Sequence, residues 1–151
     1  MEEFKVLIPK ENYQIINFEK EDLPAIGTIN ISLKNFEPKE IFSWHCSLIL
    51  DFEDFMENGM PTKEQVLIAD RFEDILDNKI KGTNKEKPNA LFLGRVTWNK
   101  TRQLLWRVYD PDLVNQFLKD TIEDKKYPLN FDYNISVDEE WSYAKWYLEN
   151  S

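Results

Sequence analysis

The sequence predicts an α+β domain: a β-α-β-β-α-β core behind an N-terminal β extension, closed by a short C-terminal helix. Three observations predict it. Apolar and polar residues alternate across 41–52 and 129–137, the period of a strand with one buried face. Apolar residues recur at steps of three and four after Thr62 and after Asp110, the period of a helix with one buried stripe. Between those helices, two apolar runs are separated only by Asn99-Lys100, and so short a connection forces an antiparallel hairpin. With 151 residues, 42% of them apolar, the chain has the size of one domain and the material for one core.

The extension spans residues 1–34. Phe4 to Ile8 and Tyr13 to Phe18 read as short β runs. Leu23-Pro24 breaks any helix between them and the next strand. That strand is Gly27 to Lys34, with Ile29, Ile31 and Leu33 on one side and Thr28, Asn30, Ser32 and Lys34 on the other. Periodicity leaves open whether these strands lengthen the sheet or cover one of its faces.

The core spans residues 40–137. In its first strand, Ile41 to Phe52, the core side carries Phe42, Trp44, Cys46, Leu48, Leu50 and Phe52. The back carries Ser43, His45, Ser47, Ile49 and Asp51. Asn58-Gly59-Met60-Pro61 is a turn. Thr62 caps the first helix, with Gln65 three residues on completing a capping box. Val66, Ala69, Phe72, Ile75, Leu76 and Ile80 form its stripe, Lys79 and Lys81 suit its C-terminal end, and Gly82 stops it. Strands Ala90 to Trp98 and Arg102 to Tyr109 flank the hairpin turn. Asp110 caps the second helix, with Pro111 at its first position, where the missing N–H is harmless. Leu113, Val114, Phe117, Leu118 and Ile122 face inward. Leu129 to Val137 is the last core strand. Asp138 then caps a terminal helix over 138–149, with Trp141, Ala144, Lys145 and Leu148 on its inner side. The order is the split βαβ of ferredoxin-like folds, in which both helices cover one sheet face and the last strand lies beside the first. The opposite face, with Ser43, His45 and Ser47 on one strand and Asn130, Asp132 and Asn134 on another, is expected to stay wettable.

Composition excludes several functions. Nineteen Lys plus Arg against 28 Asp plus Glu give a net charge of −9, which disfavours direct nucleic-acid binding and suits docking on a basic protein. One cysteine, Cys46, allows no internal disulfide, and one histidine beside it makes a Cys/His zinc site implausible. No calcium loop, glycine-rich phosphate cradle or Gly-x-Ser-x-Gly elbow is present, so no metal, cofactor or catalytic residue is assigned. The N-terminus lacks the features of a signal peptide, and no window is apolar enough to span a membrane, so a cytoplasmic protein is expected.

Several short motifs, in order, carry a family resemblance. They are Asn58-Gly59-Met60-Pro61-Thr62, Phe72-Glu73-Asp74, Gly94-Arg95-Val96-Thr97, Arg102, and Asp138 with Trp141. Over residues 40 to 148 the chain thereby resembles the bacterial family known as domain of unknown function 695. It departs from that pattern at Lys100, where the family tends to have glycine, and at Arg107, where it tends to have tyrosine. It is also distantly similar to the regulators of ribonuclease E activity of the B type, which are small, acidic and ferredoxin-like. The first resemblance implies no established activity; the second concerns fold and charge.

Four groups of residues are candidates for binding. A loop of two or four residues places Thr97 opposite Arg102 and Arg95 opposite Leu104, so that Arg95, Thr97 and Arg102 share one sheet face, whereas a loop of three puts the arginines on opposite faces. There they either grip an anion or pair with nearby carboxylates. His45 titrates near neutrality and could meet Asp132 if the last strand neighbours the first. Trp98 and Trp146 lie off the core pattern and are candidates for exposed binding aromatics. The acidic runs around Glu53, Glu73 and Glu123 read as solvated surface. The first functional expectation is a non-enzymatic acidic regulator, inhibitor or neutralising partner that binds a basic protein through the open sheet face or an acidic surface. The alternative is a binder of small anions, or an enzyme, anchored by Arg95 and Arg102. A homodimer through the open face also remains compatible.

Overall fold

The computed structural model describes residues 6–151. It contains strands β1 (Tyr13–Lys20), β2 (Leu23–Asn30), β3 (Trp44–Asp51), β4 (Ala90–Trp98), β5 (Thr101–Val108) and β6 (Phe131–Val137). Its helices are α1 (Lys63–Lys81), α2 (Pro111–Glu123) and α3 (Ser142–Glu149). The fold is mixed α+β, with one antiparallel sheet in the order β1-β2-β4-β5-β3-β6. The N-terminal hairpin therefore lengthens the sheet. β6 pairs with β3, with His45 opposite Ser136.

Two turns frame the sheet. Glu21-Asp22 joins β1 to β2, and Asn99-Lys100 joins β4 to β5; all four residues have positive φ. Paired left-handed residues make a turn whose twist matches the flanking strands. The β4–β5 turn is buttressed from below. Asn58 Oδ1 accepts from Met60 N–H, Gly59 sits at φ +85°, and Gly59 C=O accepts from Lys100 N–H at 2.8 Å. A Cβ on Gly59 would stand 2.9 Å from Asn99 Cα. Lys100 itself occupies φ +67° without being glycine, a conformation that side chains resist. Lys100→Gly is therefore expected to raise stability by about 0.5–1 kcal/mol, read as a higher denaturant midpoint at unchanged slope.

Both long helices pack on the same sheet face. Cys46, Leu48, Leu50, Leu104 and Trp106 meet Ala69, Phe72, Leu76 and Ile80 of α1 and Val114 and Leu118 of α2. Thr62 caps α1 as expected, accepting from Gln65 N–H. The capping box is incomplete, because the Gln65 side chain accepts from Glu53 N–H at 2.8 Å and so ties the preceding loop to the helix. Ile75, expected in the stripe, is 57% exposed; Glu73 is buried instead. Asp110 caps α2 and Gly82 ends α1, as the sequence predicts.

The opposite face differs from expectation. Residues 31–42 and α3 cover its half nearest the start of β4, burying Leu33, Phe36, Phe42, Leu91, Leu93, Leu105, Trp141 and Ala144 in a second core. Three strand assignments change for this reason. β2 begins at Leu23 and takes in Pro24, then ends at Asn30, where the chain turns into a 3-10 segment, Ile31–Leu33. A second 3-10 segment, Lys39–Phe42, replaces the expected start of β3 and sends Phe42 to the second core. Residues 6–10 form no strand; Phe4 and Lys5, the start of that expected run, lie outside the described residues. The cap of α3 also differs: Trp141 is the N-cap residue, at φ +60°, and Asp138 caps from three residues earlier.

Candidate functional site

A bulge decides where the arginine candidates point. The β4–β5 register shifts between Phe92 and Gly94. Strict alternation from Phe92, which faces the helices, would turn Arg95 and Thr97 to the opposite side; the extra residue, Leu93, returns them to the helix side. Gly94 lets β2 approach there, since a Cβ would lie 2.5 Å from the Thr28 carbonyl oxygen. Thr97 stands opposite Arg102, and Arg95 opposite Leu104. Arg95 grips Glu73 of α1 with two parallel bonds, Nε to Oε1 at 2.7 Å and Nη2 to Oε2 at 2.6 Å. Arg102 donates to Asp70 Oδ1 at 2.6 Å. Both guanidinium groups therefore face carboxylates of α1. Glu73 belongs to this network and not to a solvated acidic face.

His45 meets neither Asp132, which stands opposite Ile49, nor open solvent. It lies beside Arg107, which is wholly buried on the covered sheet face. Arg107 Nη1 donates to Asp138 Oδ2 at 2.9 Å and lies 3.2 Å from His45 Nδ1. An arginine cannot accept, so Nδ1 is the acceptor and the ring proton sits on Nε2. Arg107 Nη2 donates to the Phe42 and Asp138 carbonyls, and its guanidinium carbon lies 4.8 Å from the Trp141 ring centre. The Asp138 carboxylate also accepts from Ser142 and Tyr143 N–H, each at 2.9 Å. These N–H groups and Arg107 hold its pKa below the ordinary carboxylate value, against the opposing effect of burial. Burial, assisted by the Arg107 charge, lowers His45 to about 4, so its imidazole is neutral at pH 7. This cluster fastens α3 and residues 36–42 to the sheet.

Beyond that fastening, the remainder of the same face is open. A cavity of about 520 Å³ lies between the β1–β2 hairpin, the outer ends of β3 to β5, and α3. Phe18, Ile49, Trp98, Gln103, Trp146 and Tyr147 line it. Trp98 clamps the end of the hairpin, its indole N–H donating to the Lys20 carbonyl at 2.8 Å while the Lys20 ammonium lies 4.5 Å from its ring. Phe18 meets Trp146 edge to face, with ring centres 5.1 Å apart. Trp146 is 47% exposed and Ile49 40% exposed, unusual for large apolar side chains that face each other across a concavity. Gln103 is held by a 2.8 Å bond from its amide nitrogen to Ser47 Oγ.

The structure thus places Arg95, Thr97 and Arg102 under α1, His45 in the α3 fastening, and Trp98 in the open groove. Of the five, Trp98 lines the cavity of about 520 Å³. Ile49, an apolar residue on the polar side of its strand, was a sequence signal for this groove, as was the off-stripe Trp146. Phe18, Gln103 and Tyr147 carried no such signal, since only the pairing of distant strands brings them together. Cys46 is buried and its thiol is pushed up to about 12 by that burial. Among the described residues, no cluster of His, Cys, Asp and Glu is placed to hold a metal, and no helix is long and apolar enough to cross a membrane.

The motif residues behind the family resemblance meet in three places. Asn58 and Gly59 support the β4–β5 turn, Glu73 joins Arg95 beside Arg102, and Asp138 joins Trp141 around Arg107. No curated protein and no solved structure gives a significant match to the chain. The Family of unknown function (DUF695) matches residues 11–149, a span that takes in every strand and helix described above, and the chain belongs to that family.

Proposed function

We propose that this is a non-enzymatic binding domain, a regulator or inhibitor that acts by receiving an apolar side chain of a partner protein in the aromatic groove. The groove itself carries the reading: about 520 Å³, with Phe18, Trp98, Trp146 and Tyr147 around an exposed Ile49. Aromatic anchors that are already held in place bind with little loss of side-chain freedom. The engagement of Arg95 and Arg102 by α1, and the neutral, enclosed state of His45, support a binding role over a catalytic one. The net charge of −9 supports a basic partner. The order β4-β5-β3-β6 supports reading residues 44–137 as a ferredoxin-like core extended by the N-terminal hairpin.

The test is capture from lysate by the wild-type chain and by a variant carrying Trp98→Ala with Trp146→Ala, run in parallel. A protein retained by the wild type, lost from the variant and released between about 0.05 and about 0.5 M salt agrees with the proposal. Retention that ignores both the substitutions and the salt contradicts it.

A further inference from the structure

β1 ends the sheet, and its hairpin turn fixes where its backbone groups point. In a two-residue hairpin the residues flanking the turn, here Lys20 and Leu23, form a hydrogen-bonded pair, and such pairs recur at every second position. Gln14, Ile16, Phe18 and Lys20 are thereby engaged with β2. The 2.8 Å bond from Ile31 N–H to the Asn12 carbonyl continues the same phase. Tyr13, Ile15, Asn17 and Glu19 turn their N–H and C=O groups outward, and no strand among the described residues pairs with them.

Sheet edges are ordinarily blunted by a proline, a bulge, or a charge within the strand. Tyr13-Gln14-Ile15-Ile16-Asn17-Phe18 has none of these, and Ile15 is 65% exposed. The charges stand at its ends. On the helix side, Glu11 and Glu19 bracket Tyr13, Ile15 and Asn17; Glu21 and Asp22 form the turn. Arg95, on that side two strands in, is already held by Glu73, Lys20 faces Trp98, and Lys81 bridges Glu11 and Asp77 at 3.0 and 2.9 Å, one cation between two carboxylates. Tyr13 registers the negative field: burial first, then Glu11 and Asp77, raise its pKa. A second copy would set one acidic edge against another, each on a chain of net charge −9.

We propose that the outer edge of β1 is a strand-addition site for an extended segment of the partner protein, apolar in its middle and basic at both ends. The proposal rests on the binding-domain reading and names the chemistry of the partner. Main-chain bonds to Tyr13, Ile15, Asn17 and Glu19 supply the pairing; Glu19 chooses one basic end, and the excess of Glu11 and Asp77 over the Lys81 they share chooses the other. Side chains on the other face of the added strand lie beside Ile16 and Phe18, at the rim of the groove.

The probe is a labelled peptide, Lys-Thr-Val-Thr-Val-Thr-Val-Thr-Lys, capped at both ends and titrated with the full chain by fluorescence anisotropy. Laid antiparallel to β1, it sets its lysines opposite Glu19 and Glu11. Saturable binding is expected, weakened by salt and at least about ten-fold weaker for the same peptide with Glu in place of Lys. Asn17→Pro removes an outward N–H at a position where an edge strand tolerates proline, so its melting temperature should stay near that of the wild type. Ile15→Lys leaves the backbone intact and adds a cation. Each is expected to weaken the peptide about ten-fold or more, while Ile49→Ser, which changes the groove from β3 without touching the hairpin clamp, leaves it unchanged. Absent binding, equal binding to both variants, or equal binding of the Glu peptide overturns the proposal. So does a concentration-dependent dimer that Asn17→Pro abolishes, which gives the edge to a second copy. Peptide binding lost in Ile49→Ser but kept in Asn17→Pro overturns the edge site alone and leaves the groove reading standing.

Discussion

Replacing Arg107 with alanine is expected to destabilise the fold by about 3–5 kcal/mol, read as a lower denaturant midpoint in equilibrium unfolding. The size follows from what stays behind. The Asp138 side chain is only 7% exposed, and its partner is wholly buried. Removing the guanidinium leaves a carboxylate in an apolar setting with part of its hydrogen bonding gone. It also removes one donor from the Phe42 carbonyl, which keeps the Trp141 indole N–H, and opens a void against the Trp141 ring. Arg107 Nε finds no partner among the described residues, so the native cluster is itself imperfectly satisfied. A buried ion pair of this kind need not stabilise the fold relative to an apolar pair of similar shape. A second variant uses that point. Arg107→Met combined with Asp138→Asn removes both charges while the amide oxygen keeps one of the two cap bonds, which in the native chain run from Ser142 N–H and Tyr143 N–H to separate carboxylate oxygens. The double variant should lose less than the sum of its single changes, because the penalty of either single change is largely the stranded charge. Additive losses would mean that the two side chains act independently.

This cluster also marks the limit of what the residues alone could tell. The alternating run through β3 and the helical stripes after Thr62 and Asp110 were legible because each buries one face against one layer. The turn at Asn99-Lys100 was legible from its length. Other features needed the assembled sheet. Residues 31–42 contain alternating apolar positions that suit a strand, yet tertiary packing folds them into 3-10 segments over the second core. The side taken by Arg95 and Thr97 depends on one bulged residue, Leu93, in a run of apolar side chains where any phase looks alike. The pairing of Arg107 with Asp138 joins strand β5 to the cap of α3, and no local spacing specifies it. The groove is assembled from five separate elements, in which only Trp98, Trp146 and Ile49 looked out of place in their own segments.

Acidification from about pH 6.5 to about pH 4 is expected to remove about 3 kcal/mol of stability through His45 alone. In the unfolded chain this imidazole takes up a proton near its ordinary value of 6.5; in the folded chain it resists until about 4. Between those values the unfolded state binds more protons, so stability falls as the pH falls, and below about 4 this contribution stops growing. Burial is the main cause, and the neighbouring Arg107 charge adds to it, while Asp138 opposes. The Asp138 effect occupies a different window. Its lowered pKa stabilises the fold above 3.8, and that contribution is lost as the pH drops through the folded value, below the range of His45. His45→Gln separates the two. A glutamine oxygen can still accept from Arg107 but does not titrate, so the variant should hold its stability between pH 6.5 and 4 apart from the general carboxylate background. Unfolding free energies of wild type and variant, measured in steps across that range, should converge toward the acid end, the wild type losing about 3 kcal/mol more. Parallel profiles would mean that the ring stays accessible to protons in the folded chain, and the enclosed cluster of His45, Arg107 and Asp138 would have to be redrawn. Arg107→Ala gives an internal check, because removing the adjacent cation should move the folded His45 titration upward, so that the loss, which begins near 6.5 in either chain, is smaller and ends at a higher pH.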